Sequence, residues 1–154
     1  MNSELDSEYR LRLAKGFHKE AEEDLQLRRW RSCVDASRLS VRNASKAIIA
    51  NFQPLGKMHN PATELRQLIY KVLIEEPLIE DLKATLSLFD ELGFEEHFLT
   101  ENGDEETYRD PWTLFGDDDA TKAVHIMHKC LAVAERFYQY HFPQSPSVNE
   151  AASS

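Results

Sequence analysis

The sequence predicts an all-α fold, an up-and-down helical bundle of about five helices with a long acidic loop before the last one. Three observations carry this. Apolar residues recur at three- and four-residue steps through most of the 154 residues. The chain has only 5 glycines and 6 prolines, too few for the many tight turns of an all-β protein. The stretch from Ser32 to Phe52 carries an apolar stripe and is also rich in Ala and Ser, the composition of a helix that neighbours approach closely.

Taken in order, Tyr9, Leu13, Phe17, Ala21 and Leu25 make a stripe at four-residue steps, so a first helix is expected over Ser7–Gln26, with Asp6 or Ser7 as its N-cap. Polar Arg28-Arg29-Trp30-Arg31 forms the corner, with Trp30 as a packing anchor. Ser32 is placed to cap the second helix. Val34, Ser37, Val41, Ala44, Ile48 and Phe52 line one face of that helix, and Ala36, Ser40 and Ala47 add further small inward positions. This helix is expected at the centre of the bundle.

Gln53–Pro61 holds two prolines and a glycine and ends the helix. Asn60-Pro61 followed by Thr63-Glu64 signals a new start, with Leu65, Leu68, Ile69, Val72 and Leu73 facing inward. Pro77 interrupts. Leu78, Leu82, Leu86 and Phe89 carry a fourth helix to Gly93. Gly93–Asp119 is the long loop, marked by Asn102-Gly103, Asp110-Pro111 and Gly116, with Phe98, Tyr108, Trp112, Leu114 and Phe115 expected to pack partly on the bundle or on a second subunit. Asp117-Asp118-Asp119 reads as the charged N-terminus of the last helix rather than as a cation site. That helix has the stripe Val124, Met127, Leu131, Ala134 and Tyr138. Residues 5–142 are expected to form a single domain and residues 143–154 a flexible tail.

The net charge is −9, which argues against non-specific binding to duplex DNA. The cations are concentrated, however. Arg31, Arg38, Arg42 and Lys46 fall within roughly 80° of one another on the second helix. Between Glu95 and Asp119 the only Lys or Arg is Arg109. A local anion site on an acidic body is one reading; pairing of the ridge with the acidic loop is the other. Cys33 and Cys130 lie alone in helical patterns, as reduced core thiols would. No run approaches a membrane span, and Met1–Asp6 does not read as a secretory leader. A cytoplasmic protein without membrane attachment, cofactor or metal is expected.

Several segments together resemble the HEPN family. They are Leu13–Leu25, Cys33–Ala36, Lys46-Ala47-Ile48-Ile49, the histidine His59 after a short loop, Glu64-Leu65, and Tyr108-Arg109-Asp110-Pro111 before the last helix. The likeness spans roughly residues 9–141. Arg42 stands where such proteins often carry an acidic residue, and Asp110 interrupts their Arg-Tyr-Pro segment. The resemblance implies a homodimeric bundle that interacts with nucleotide or RNA, often beside a nucleotidyltransferase-type protein partner, as in toxin–antitoxin pairs. It also implies an alternative, a metal-independent endoribonuclease using Arg-x4–6-His in a late helix. Arg136 and His141 match that spacing, although about 140° separates them on a continuous helix.

Three readings therefore stand. In the first, Arg31, Arg38, Arg42, Lys46, His59 and Arg109 hold ligand phosphate without catalysis, arginine as a fork and lysine as a point charge. In the second, Arg136 and His141 cleave RNA. In the third, the chain is a protein-interaction module that binds no nucleotide. His125 and His128, three residues apart, offer two metal-ligand atoms without a third.

Overall fold

The computed structural model describes residues 2–58, 60–92 and 99–144. Among these, the chain is an all-α bundle. Its helices are α1 (Ser3–Gln26), α2 (Trp30–Ile49), α3 (Pro61–Lys71), α4 (Leu78–Glu91), the single turn α5 (Pro111–Leu114) and α6 (Asp117–His141). His59, Gly93, Phe98 and the tail from residue 145 lie outside the described residues. No helix among the described residues is long and apolar enough to cross a membrane.

α2 is the centre, packed by α1, α6, α3 and α4. Its expected inward positions Val34, Ser37, Val41, Ala44 and Ile48 are all buried, as are Ala36, Ser40 and Ala47. The small residues have a definite use. Ser7 Oγ donates to the carbonyl of Ala47 at 2.9 Å, Ser40 Oγ to that of Ala14 at 2.7 Å, and Cys33 Sγ to that of Ala21 at 3.3 Å. The three rungs fall seven residues apart on each helix, the period of a coiled-coil seam. All six residues are fully buried.

This seam corrects the expected face of α1. The buried residues are Ser7, Leu11, Ala14 and Ala21, whereas Tyr9 is 49% exposed and Leu13 and Phe17 are only partly covered. A strict four-residue step advances about 40° per step around a helix, so the stripe from Tyr9 to Leu25 drifts off any one face. Alternating steps of four and three stay on it.

The helix ends also differ in part from expectation. Asn2, not Asp6 or Ser7, caps α1, its side chain accepting from Leu5 N at 3.1 Å. α2 begins at Trp30, ahead of Ser32, and its N-cap Arg29 supplies no side-chain bond. Between them, Arg28 sits at φ 60°, and Arg28 N and Arg29 N bond back to Leu25 O and Asp24 O at 3.2 and 2.8 Å. That is a Schellman closure with arginine where glycine is usual. Asn60 caps α3 as expected, with Pro61 in its first turn. α3 stops at Lys71, so Val72 is only half-buried and Leu73 is 88% exposed rather than inward.

The rest of the core comes from Leu65 and Leu68 of α3, Leu82 and Phe89 of α4, and Met127, Cys130, Ala134 and Phe137 of α6, all essentially excluded from solvent. Each large apolar side chain so buried contributes about 1.5–3 kcal/mol. In the long loop, residues 99–102 are helical. Asp104 and Arg109 then bridge backbone to backbone, and Pro111 and Phe115 bury while Tyr108 and Trp112 stay exposed. The aspartate run does start α6: Asp119 Oδ2 accepts from Gly116 N at 2.8 Å.

Candidate functional site

The basic ridge of α2 divides into two environments. In the first, Arg38 is buried, and its Nε and Nη2 both reach Asp35 Oδ1 at 3.3 Å. Thr100 Oγ1, itself fully buried, donates to the same oxygen at 3.1 Å. Arg31 Nη1 donates to the Thr100 carbonyl at 3.1 Å and Nη2 to Ser32 Oγ at 3.1 Å. Arg31, Asp35, Arg38 and Thr100 thus form one network that pins the long loop onto α2. Arg38 is matched by a carboxylate of its own helix, and Arg31 is spent on a loop carbonyl.

The second environment is different. Arg42 and Lys46 stand one turn apart on α2, and Arg10 of α1 joins them by donating to Asn43 Oδ1 at 3.3 Å. Arg42 Nη2 donates to the Met58 carbonyl at 2.9 Å, which turns it toward the loop after α2. Burial lowers the pKa of Lys46, and the Arg10 and Arg42 guanidiniums lower it further. Burial likewise lowers that of Arg42, with Arg38 and Arg10 adding to it. The charged neighbours that lower Lys46 are the cations Arg10 and Arg42. Among the described residues, neither Arg10 nor Lys46 forms an ion pair. Beside them, Tyr9 lies half exposed with the guanidiniums of Arg10 and Arg12 over its ring at 5.6 and 5.7 Å.

Arg10 and Tyr9 were not legible as site residues. Arg10 precedes the second helix by twenty positions and reaches α2 only through the seam that brings α1 alongside it. The remaining sequence candidates sit elsewhere. Arg109 closes the acidic loop's own turn, with Asp104 N donating to its carbonyl at 2.8 Å. His59 lies outside the described residues.

Arg136 and His141 are each held by separate partners. Arg136 Nε donates to Asp81 Oδ2 of α4 at 2.8 Å. His141 Nδ1 bonds Asn51 Oδ1 at 2.8 Å, its Nε2 faces Glu75 at 3.5 Å, and its ring packs edge-on against Phe52. Asn51 in turn donates to Ala47 O at 2.8 Å. His141 is therefore wired into the end of α2, and both residues tie α6 to its neighbours.

His125 is exposed, while His128 meets His18 and Glu22 across the α1–α6 interface. Cys33 and Cys130 are buried free thiols, as expected. Burial pushes Cys33 up to about 11 and Cys130 up to about 12.

Comparison of this chain with protein-family models, with curated proteins and with solved structures finds no match.

Proposed function

We propose that this chain is a HEPN-like helical module that binds the phosphate of a nucleotide or RNA, without cleaving it, at the cluster formed by Arg10, Arg42 and Lys46. The observation that supports this is the position of Arg10 and Lys46: two cations from different helices, brought together without an ion pair among the described residues. Like charges one turn apart cost a helix about 0.2–0.5 kcal/mol, and partial burial adds to that. A phosphate between Arg10 and Lys46 turns repulsion into attraction, with charge-assisted bonds from guanidinium and ammonium donors. Tyr9, half exposed next to Arg10, would stack a base only if the Arg10 or Arg12 guanidinium over its ring moved aside.

Arg31 and Arg38 lie outside this site in our reading, because Arg38 is buried and paired with Asp35, and the two terminal nitrogens of Arg31 are tied to Thr100 and Ser32. In this reading Arg136 and His141 serve as structural ties, each held by its own partners, rather than as a catalytic pair. A homodimer and a nucleotidyltransferase-type partner belong to the same proposal. Tyr70 and Leu73, each 88% exposed at the end of α3, are apolar surface available for such contacts.

The test is a titration of labelled mononucleotide and short single-stranded RNA at two salt concentrations. Binding should weaken with salt, and Lys46→Ala and Arg10→Ala should each lower affinity about tenfold, the scale of one charge-assisted contact. Affinity unchanged in both variants would sink the proposal.

A further inference from the structure

Outside the cationic cluster, one group of side chains has the chemistry of a metal site. His18 and Glu22 stand one turn apart on α1, and His128 comes from α6. His18 Nε2 lies 3.0 Å and His128 Nε2 2.8 Å from the same oxygen, Glu22 Oε1. All three donor atoms fall within 4.8 Å of one another. Ligand atoms at about 2.0–2.1 Å from a tetrahedral zinc sit about 3.4 Å apart, so small rotations of two imidazoles close the set. The two rings are already in contact, with centroids 4.9 Å apart and planes tilted 55°.

We propose that His18, Glu22 and His128 bind one Zn2+ ion, which staples α1 to α6. This does not depend on the phosphate reading, because it uses none of the same residues. Two imidazoles and one carboxylate suit zinc and its late first-row neighbours, whereas Mg2+ and Ca2+ prefer oxygen donors throughout. All three side chains are partly exposed, at 28%, 46% and 48%, so the ion has an entry path and solvent fills the remaining coordination position. Among the described residues, no carboxylate or carbonyl holds the Nδ1 side of either ring. Imidazole ligands left unsupported in this way bind more weakly than braced ones, so micromolar affinity is expected. The net charge of −9 also favours a cation. Because the ligands come from the first and last long helices, the ion would act as a cross-link, binding the folded chain and raising its melting temperature by mass action.

The experiment is calorimetric titration of the full chain with Zn2+ alone, with Mg2+ in a parallel arm, together with thermal melts. One equivalent of zinc should bind and raise Tm, and Mg2+ should do neither. Co2+ substitution should give the visible absorption of a tetrahedral nitrogen–oxygen site. His128→Ala and His18→Ala should each lower zinc affinity at least about tenfold and abolish the Tm rise. Both variants should keep the helical circular dichroism of the parent, because the residues are partly exposed. His125→Ala, three positions along the same helix, should bind zinc as the parent does. Zinc binding that survives in both His18→Ala and His128→Ala, or that is lost in His125→Ala, would overturn the proposal. So would a parent chain that binds no zinc.

Discussion

The hydroxyl of Ser40 is bonded to the main-chain carbonyl of Ala14 at 2.7 Å, at the middle of the seam between the first two helices. Both residues are fully buried, so the helices meet there without room for a larger side chain. Removing the hydroxyl deletes the bond, while Ala14 O keeps its helical geometry. Ser40→Ala is therefore expected to cost about 1 kcal/mol. Ser40→Leu must instead push the helices apart, at about 1–3 kcal/mol or more. Urea melts of the two variants check the order: if leucine is tolerated as well as alanine, the close approach is not real.

Gly103 carries a steric prediction. It lies at φ +69°, and a Cβ there would sit 2.2 Å from Arg109 O and 3.0 Å from Asp110 main-chain atoms. The obstacle is backbone, and the Asp104–Arg109 bridge holds it in place. Gly103→Ala should therefore open the turn that carries Arg109 into α5. A loss of stability of about 1–3 kcal/mol is expected, with faster proteolysis within residues 99–115. Arg28 is the converse case, a non-glycine in the same left-handed region at φ 60°.

The fold was legible because α2 is covered on several sides, so almost any apolar or small residue on it points inward, as Val34, Ser37, Ala44 and Ile48 do. α1 was harder. Three of its four buried residues are serine or alanine, and the half-exposed Tyr9 looked more hydrophobic than the buried Ser7. The site was legible on one helix and not on two. Arg42 and Lys46 could be read from their spacing, but Arg10 needed the α1–α2 seam and His18 needed the α1–α6 contact. Spacing also could not distinguish Arg38 from Arg42: they share a flank, and only Asp35 and Thr100 separate their fates.

The buried thiols predict an alkaline limb. An unfolded thiol titrates near about 8.5, whereas burial pushes Cys33 to about 11 and Cys130 to about 12 in the folded chain. Between those values the unfolded state has lost protons that the native state keeps, so stability falls as pH rises. The loss starts near the unfolded value and levels off above about 12. The double variant Cys33→Ala, Cys130→Ala should show a shallower decline in urea midpoint between about pH 8 and pH 11 than the parent. Equal slopes would show that the thiols do not carry the effect. Below the alkaline range both thiols should react slowly with disulfide reagents, because the thiolate is the reactive form.

Lys46 should separate stability from binding. It is partly buried beside Arg42 and Arg10, and its pKa is lowered first by burial and then by those two cations. The sign follows directly: the folded chain disfavours the ammonium, so folding bears a cost at neutral pH that disappears as pH rises through the lowered folded value toward about 10.4. Methionine keeps the length and apolar stem of lysine while removing the charge. Lys46→Met should therefore stabilise the ligand-free chain by about 0.5 kcal/mol, the scale of one like-charge pair relieved, while weakening nucleotide or RNA binding about tenfold. Adding phosphate ligand should then raise the Tm of the parent more than that of the variant. A simple packing role for Lys46 predicts a different pattern, with stability lost or unchanged and the ligand-induced Tm shift the same in both proteins. Differential scanning fluorimetry with and without nucleotide, at low and high salt, distinguishes the two.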